Sequence, residues 1–138
     1  MSDGSVDRRP LVVSLPIEDR ARSFRFYRDV LGLEAFGELA DDGVPEPLQF
    51  ALAEGVSLML VPTGGFGWVV GRELAPPGTS EVLLSRSLSS PAEVDDLLAR
   101  AVAAGATVVA PAEAKPWGYC AVFADPDQHA WMVAVDAG

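Results

Sequence analysis

The chain has 138 residues, of which 49% are hydrophobic, with a single cysteine and a formal net charge of −10. That length suits one domain whose core closes without a disulfide or a structural metal. The charge excludes sequence-independent nucleic-acid binding and attraction to an anionic membrane surface. Cys120 has no intramolecular partner, which fits a reducing cytoplasm. The opening MSDGSVDRRP lacks the apolar segment of a signal peptide, and no apolar run approaches the ~20 residues of a membrane span. A cytoplasmic protein with no membrane partner is expected.

Residues 1–10 are polar and are read as a flexible N-terminus. LVVSLPI (11–17) reads as a short buried strand. In EDRARSFRFYRDVLGL, Phe24, Tyr27, Val30 and Leu31 recur at three- and four-residue spacing, which predicts an amphipathic helix. Asp19 is its N-cap candidate and Gly32 its stop. LEAFGEL (33–39) reads as a strand and the acidic DDGVPEP (41–47) as turns. LQFALAE (48–54) and VSLMLVP (56–62) flank Gly55 and predict a hairpin. The glycine- and proline-rich TGGFGWVVGRELAPPG (63–78) reads as a long loop with the composition of a lid, carrying Phe66 and Trp68.

SEVLLSR (80–86) reads as the next strand. In SSPAEVDDLLARAVAAGA, Ser90, Pro91 and Glu93 form a capping box with proline at the first helical position. Val94, Leu97, Leu98, Ala101 and Val102 make its apolar face, and Gly105 ends it. TVVAP (107–111), WGYCAVFA (117–124) and HAWMVAV (129–135) read as strands, with DPDQ turning between the last two.

The order β-α-β-β-β therefore occurs twice. Leu31-Gly32 and Ala104-Gly105 close the two helices about half a chain apart. This predicts an α+β fold of two βαβββ modules forming a curved mixed sheet, a half-barrel around a cleft. Module one spans about 11–62, the loop 63–78, and module two about 79–136, within a single domain over 11–138.

Three segments carry a resemblance to a known family. SLPIEDRARSFRFYRDVLGL resembles an opening strand and a "D-x-x-R-S-x-x-F-Y-x-x-x-L-G" helix, here Asp19, Arg22, Ser23, Phe26, Tyr27, Leu31 and Gly32. SPAEVDDLLARAVAAGATVVAP resembles the second-half helix with its following strand, and FADPDQHAWMVA a closing "F-x-D-P-D-G-H-x-W-E-V" hairpin. Together they resemble the vicinal oxygen chelate superfamily, the glyoxalase/bleomycin-resistance/dioxygenase group, from about Leu11 to Val135.

The resemblance implies a divalent-metal site with four side-chain ligands at Val12, about Met59, Glu81 and Met132. Valine has no donor atom, and a thioether is too soft for hard or borderline divalent ions. One carboxylate cannot hold an open catalytic site, which needs about three protein ligands. No metal and no other cofactor are therefore expected. Glu81 becomes a candidate pocket acid, and Val12, Met59 and Met132 a candidate apolar floor. Phe66, Trp68, Trp117 and Tyr119 are candidates for stacking an aromatic or cationic ligand. His129, Asp125 and Asp127 read as turn residues, and TGGFG lacks the spacing of a dinucleotide loop.

The function implied is a metal-free small-molecule-binding protein of the bleomycin-resistance type, sequestering an antibiotic or another cationic or aromatic metabolite as a homodimer. The alternatives are a lyase, isomerase or dioxygenase-like enzyme of the same superfamily, and an orphan stress or partner-binding protein with a vestigial cleft. The missing metal ligands argue against the enzyme.

Overall fold

A computed structural model describes residues 10–136. The chain divides into two compact units between Arg72 and Glu73. Each unit holds a four-stranded mixed sheet, and together they make an α+β fold.

In the first unit the apolar residues of LVVSLPI extend as β1 (Leu11–Ile17), which pairs in parallel with β4 (Val56–Pro62). The helix α1 (Arg20–Asp29) crosses between β1 and β2 (Glu34–Phe36), and β3 (Leu48–Ala53) completes the sheet in the order β1-β4-β3-β2. Asp19 caps α1 by accepting from the Arg22 amide at 3.1 Å. Phe26, Tyr27, Val30 and Leu31 are buried, and the Tyr27 and Phe24 rings meet Phe50 of β3 at 5.7 and 6.4 Å. Phe50 lies opposite Leu58, and Leu58 opposite Val13. One face of the sheet thus packs on α1. Each such apolar side chain contributes roughly 1.5–3 kcal/mol when fully buried.

The acidic turn segment is a small structured hairpin rather than an open loop. Ala40 donates to the Val44 carbonyl and Glu46 to the Glu38 carbonyl, both at 2.9 Å. Arg20, at the first position of α1, ties it down. Its guanidinium donates to Asp42 Oδ2 at 2.9 Å, the Val44 carbonyl at 2.9 Å and the Pro45 carbonyl at 2.6 Å.

The expected loop 63–78 is corrected in its first half. Residues Thr63–Val70 form a helix, α2, which packs on β1 and β4. Three glycines within it cost about 1 kcal/mol each relative to alanine, so local propensity alone argues against a helix. What compensates is packing on β1 and β4, where a Cβ at Gly65 would make an ordinary 3.6 Å contact with Val61 Cγ1. Gly71, at φ 74°, supplies the left-handed stop.

The second unit repeats the topology in the order β5-β8-β7-β6, with β5 (Leu84–Ser87), α3 (Pro91–Ala103), β6 (Thr107–Lys115), β7 (Gly118–Ala124) and β8 (Ala130–Asp136). Ser90 Oγ accepts from the Glu93 amide at 3.2 Å, while the Glu93 carboxylate accepts from the Ser89 amide at 2.8 Å. Val94, Leu97 and Ala101 are buried, but Val102 is exposed at the rim of the expected apolar face. Among the described residues, no helix is long and apolar enough to cross a membrane.

Candidate functional site

Successive strand residues point to opposite faces, and directly paired residues share one. Each sheet therefore has one face packed on its long helix, α1 or α3, and an opposite face. Residues of a binding surface should lie on the second, because the first is filled by core.

In the first unit, Phe50 identifies the α1 side. Val12, Ser14, Ser57, Met59 and Gln49 consequently fall on the face opposite α1, the face whose Val61 meets Gly65 of α2. Met59 lies between Ser14 on β1 and Gln49 on β3, and Val12 sits diagonally from it, opposite Ser57. This face combines a thioether and a methyl-bearing floor with two neutral hydrogen-bonding groups beside Met59. Sequence reasoning missed Ser14 and Gln49. Ser14 was visible as the alternate position to Val12, but Gln49 needs the β3–β4 register.

In the second unit the Tyr119 hydroxyl donates to Asp95 Oδ1 of α3 at 2.7 Å. That marks Tyr119, with Ala121 and Phe123, as facing the helix. Met132 pairs with Val122 and Ser85 and lies on the face opposite α3. Met132 and Tyr119, expected to line one surface, are therefore on opposite sides of one sheet. The hydrogen bond to Asp95 holds the Tyr119 phenol above its ordinary pKa, because the neutral O–H is the donor.

The expectation that Glu81 opens a strand is corrected. β5 begins at Leu84, where pairing with Trp131 starts, and Glu81 is exposed three residues earlier. Val12 precedes the α1 cap Asp19 by seven positions. The residue seven before the α3 cap Ser90 is Leu83, so Leu83 is the positional counterpart of Val12. An acid that the second sheet does place on the face opposite α3 is Glu113, opposite Cys120. Lys115 pairs with it at 2.7 Å, and this contact holds the Lys115 ammonium above its ordinary pKa. Glu113 was missed because β6 runs through Pro111 to Lys115, four residues beyond the expected end.

The remaining aromatic candidates lie outside the strands. Trp117 is exposed at the β6–β7 turn. Phe66 and Trp68 are on α2, Phe66 half-buried and Trp68 exposed. His129 belongs to the turn that joins β7 and β8. Asp125, fully buried, accepts at Oδ1 from the Asp127 amide at 2.8 Å and the His129 amide at 2.9 Å. The Asp125 amide in turn donates to the His129 carbonyl at 2.9 Å.

The donor chemistry does not fit a divalent metal at the positions the resemblance implies. Val12 and Leu83 offer hydrocarbon, Met59 and Met132 offer thioethers, and Glu81 stands outside β5. Among the described residues no group of three or more His, Cys, Asp or Glu is placed to hold a metal ion.

A glyoxalase-like domain model matches residues 11–134. Solved structures share the fold. A glyoxalase-related enzyme from Fulvimarina pelagi is 29% identical, covering 91% of this chain and 86% of its own, with a TM-score of 0.79. A glyoxalase/bleomycin resistance protein/dioxygenase family enzyme from Burkholderia phytofirmans is 18% identical over 91% and 96%, with a TM-score of 0.72. Lactoylglutathione lyase from Agrobacterium tumefaciens is 22% identical over 91% of both chains, with a TM-score of 0.60. No curated protein matches the chain. The topology of the two modules and the family match over nearly the whole sequence agree: the chain belongs to the glyoxalase-like domain family, within the glyoxalase/bleomycin resistance/dioxygenase superfamily.

Proposed function

We propose that this protein binds a small organic molecule without a metal, in the mode of the bleomycin-resistance-like members of its superfamily. The observation that carries this reading is the pair of methionines, Met59 and Met132. Each sits on the sheet face opposite its module's long helix, α1 or α3, beside a serine of the module's first strand. A thioether adapts to irregular apolar shapes and binds hard cations poorly. The hydroxyls of Ser14 and Ser85 and the amide of Gln49 supply neutral hydrogen bonds. Glu113 is offset by Lys115, so an aromatic ligand, an antibiotic or another planar metabolite, suits these faces better than a bare cation. Phe66 in the first unit and Trp117 in the second are each unit's stacking candidate, and Glu81 has a peripheral electrostatic role in this reading. A cytoplasmic location, supported by the lone buried thiol of Cys120, belongs to the same reading.

The test is a thermal-shift screen of aromatic and cationic natural products, run with and without Ni²⁺, Zn²⁺ and Fe²⁺. A ligand that binds only the native state at one hundred times its Kd adds about 2.7 kcal/mol of stability. Expected is a hit that survives chelator and is weakened by Met59→Ala or Met132→Ala. Stoichiometric metal in elemental analysis, with stabilisation by metal alone, would overturn the reading.

A catalytic reading is favoured by one observation, the 29% identity to a structure described as a glyoxalase-related enzyme. It requires donors other than those at the implied metal positions.

A further inference from the structure

The tip of the 38–47 hairpin is made by Asp42 and Gly43, a dipeptide with a chemistry of its own. In an Asp–Gly sequence the glycine amide nitrogen can attack the aspartate Cγ. The new C–N bond closes a succinimide ring, the amide proton is lost, and one carboxyl oxygen leaves as water. Water then reopens the ring at either carbonyl. One opening returns aspartate, and the other leaves isoaspartate, whose main chain runs through the former side chain. The water lost is regained, so no oxidant or other co-reactant is needed. Glycine favours the attack because no Cβ crowds its nitrogen. The sequence holds this dipeptide twice, at Asp3–Gly4 and Asp42–Gly43.

Water reaches the hairpin tip. Gly43 is exposed with nothing within 4 Å of where its Cβ would be, and the Asp42 side chain is 49% exposed. Yet both reacting groups are engaged. The attacking nitrogen of Gly43 donates its proton to the Ala40 carbonyl at 2.9 Å. Asp42 Oδ1 accepts from the Val44 amide at 3.0 Å, and Oδ2 accepts from the Arg20 guanidinium at 2.9 Å. Hydrogen bonds to the anion favour the anion. The Val44 amide first, and Arg20 after it, hold the Asp42 carboxyl below its ordinary pKa, so the neutral acid from which water leaves is scarce. Arg20 also donates to the Val44 and Pro45 carbonyls, which fixes the chain just beyond the tip. Arg20 belongs to α1, so the protection comes from the tertiary fold as well as from the turn.

We propose that Asp42–Gly43 is an isoaspartate-forming modification site that the native hairpin holds closed, with Arg20 as the positioning residue that closes it. Conversion is one-way for the hairpin. Isoaspartate adds a methylene to the main chain and leaves the carboxylate on the α-carbon, where it no longer meets the Val44 amide and Arg20 together. The inference does not depend on the ligand reading.

Ageing of the full chain at neutral pH tests it. The tryptic peptides 1–8 and 29–72 are separated and labelled with a protein isoaspartyl methyltransferase, which acts on the new α-carboxylate. Label in 29–72 should accumulate at least about tenfold more slowly in the native protein than in the urea-unfolded chain, because only the open hairpin reacts. Arg20→Ala should bring the native rate several-fold closer to the unfolded one, with an unchanged circular dichroism spectrum. Arg20→Lys keeps the charge and should do the same, and it decides the matter where Arg20→Ala loses its spectrum. Peptide 1–8 should keep its wild-type rate in both variants, and Ser90→Ala, in the other unit, should leave 29–72 unchanged. Equal native and unfolded rates, a wild-type rate in both Arg20 variants, or an equal rise in peptide 1–8 or in Ser90→Ala would overturn the proposal.

Discussion

Replacing Asp125 by alanine removes the acceptor that organises the β7–β8 turn. Its Oδ1 takes the amides of Asp127 and His129 at 2.8 and 2.9 Å, and the residue is fully buried. An amide left without its acceptor costs about 1–3 kcal/mol. The flanking turn residues are half-exposed, so water recovers part of this, and a loss of about 2–3 kcal/mol follows for Asp125→Ala. For a domain of this size that corresponds to a Tm lower by roughly 10 °C. Asp125→Asn keeps the size and one acceptor oxygen but gives up the charge, and should cost about 1 kcal/mol. Urea unfolding followed by circular dichroism, at equal m-values, separates the two. An Asp125→Ala protein within about 0.5 kcal/mol of wild type, the range of an inert surface change, would show that the turn is held by the strands instead.

Arg20→Ala should release the 38–47 hairpin while α1 persists, read as faster amide exchange at Ala40 and Glu46. Arg20→Lys should not rescue it, because a point ammonium cannot span three acceptors in fork geometry. Alkaline titration should show Tyr119 raised above the ordinary phenol range, and Asp95→Asn should lower it. Because the folded pKa is the higher one, the stabilisation it brings is present below about pH 10 and lost as pH rises through the folded value. The Asp42 carboxyl is held low by the Val44 amide first and Arg20 second. Its contribution is therefore present above about pH 4 and fades as pH falls through the folded value, so acid below about pH 4 should loosen the same hairpin as Arg20→Ala. Ser90→Ala should cost about 1 kcal/mol of stability in urea.

How far the fold was legible depended on whether local chemistry and tertiary context agreed. In α3 the capping box, the N1 proline and the apolar spacing all point to one helix, and it forms from Pro91 to Ala103. In α2 they conflict. TGGFGWVV has the glycine content of a loop, and only contact with β1 and β4 makes it helical. β5 shows a different limit. SEVLLSR has strand propensity from Val82, yet a strand lasts only as long as its pairing, which with β8 starts at Leu84 and Trp131. The site was harder to read than the fold. Face assignment needs the register across a turn. Tyr119 and Met132 look alike as strand residues, but the five-residue turn between Ala124 and Ala130 puts Tyr119 opposite Val135, out of phase with Met132. Glu113 was hidden by Pro111, which reads as a strand end but sits on the edge strand β6, where a missing N–H is tolerated.

The matched Ser–Met pairs have a practical consequence. Ser14 precedes the α1 cap by five positions and Ser85 precedes the α3 cap by five, and each lies beside a methionine on the neighbouring parallel strand. Each module is thus an internal control for the other. A ligand that engages one module alone should respond to Ser14→Val or to Ser85→Val, not to both. A ligand that engages each module should respond to each substitution, and the double mutant reads whether the two responses add. The duplicated chain carries its own double-mutant cycle, and the cycle can be run before the ligand is named.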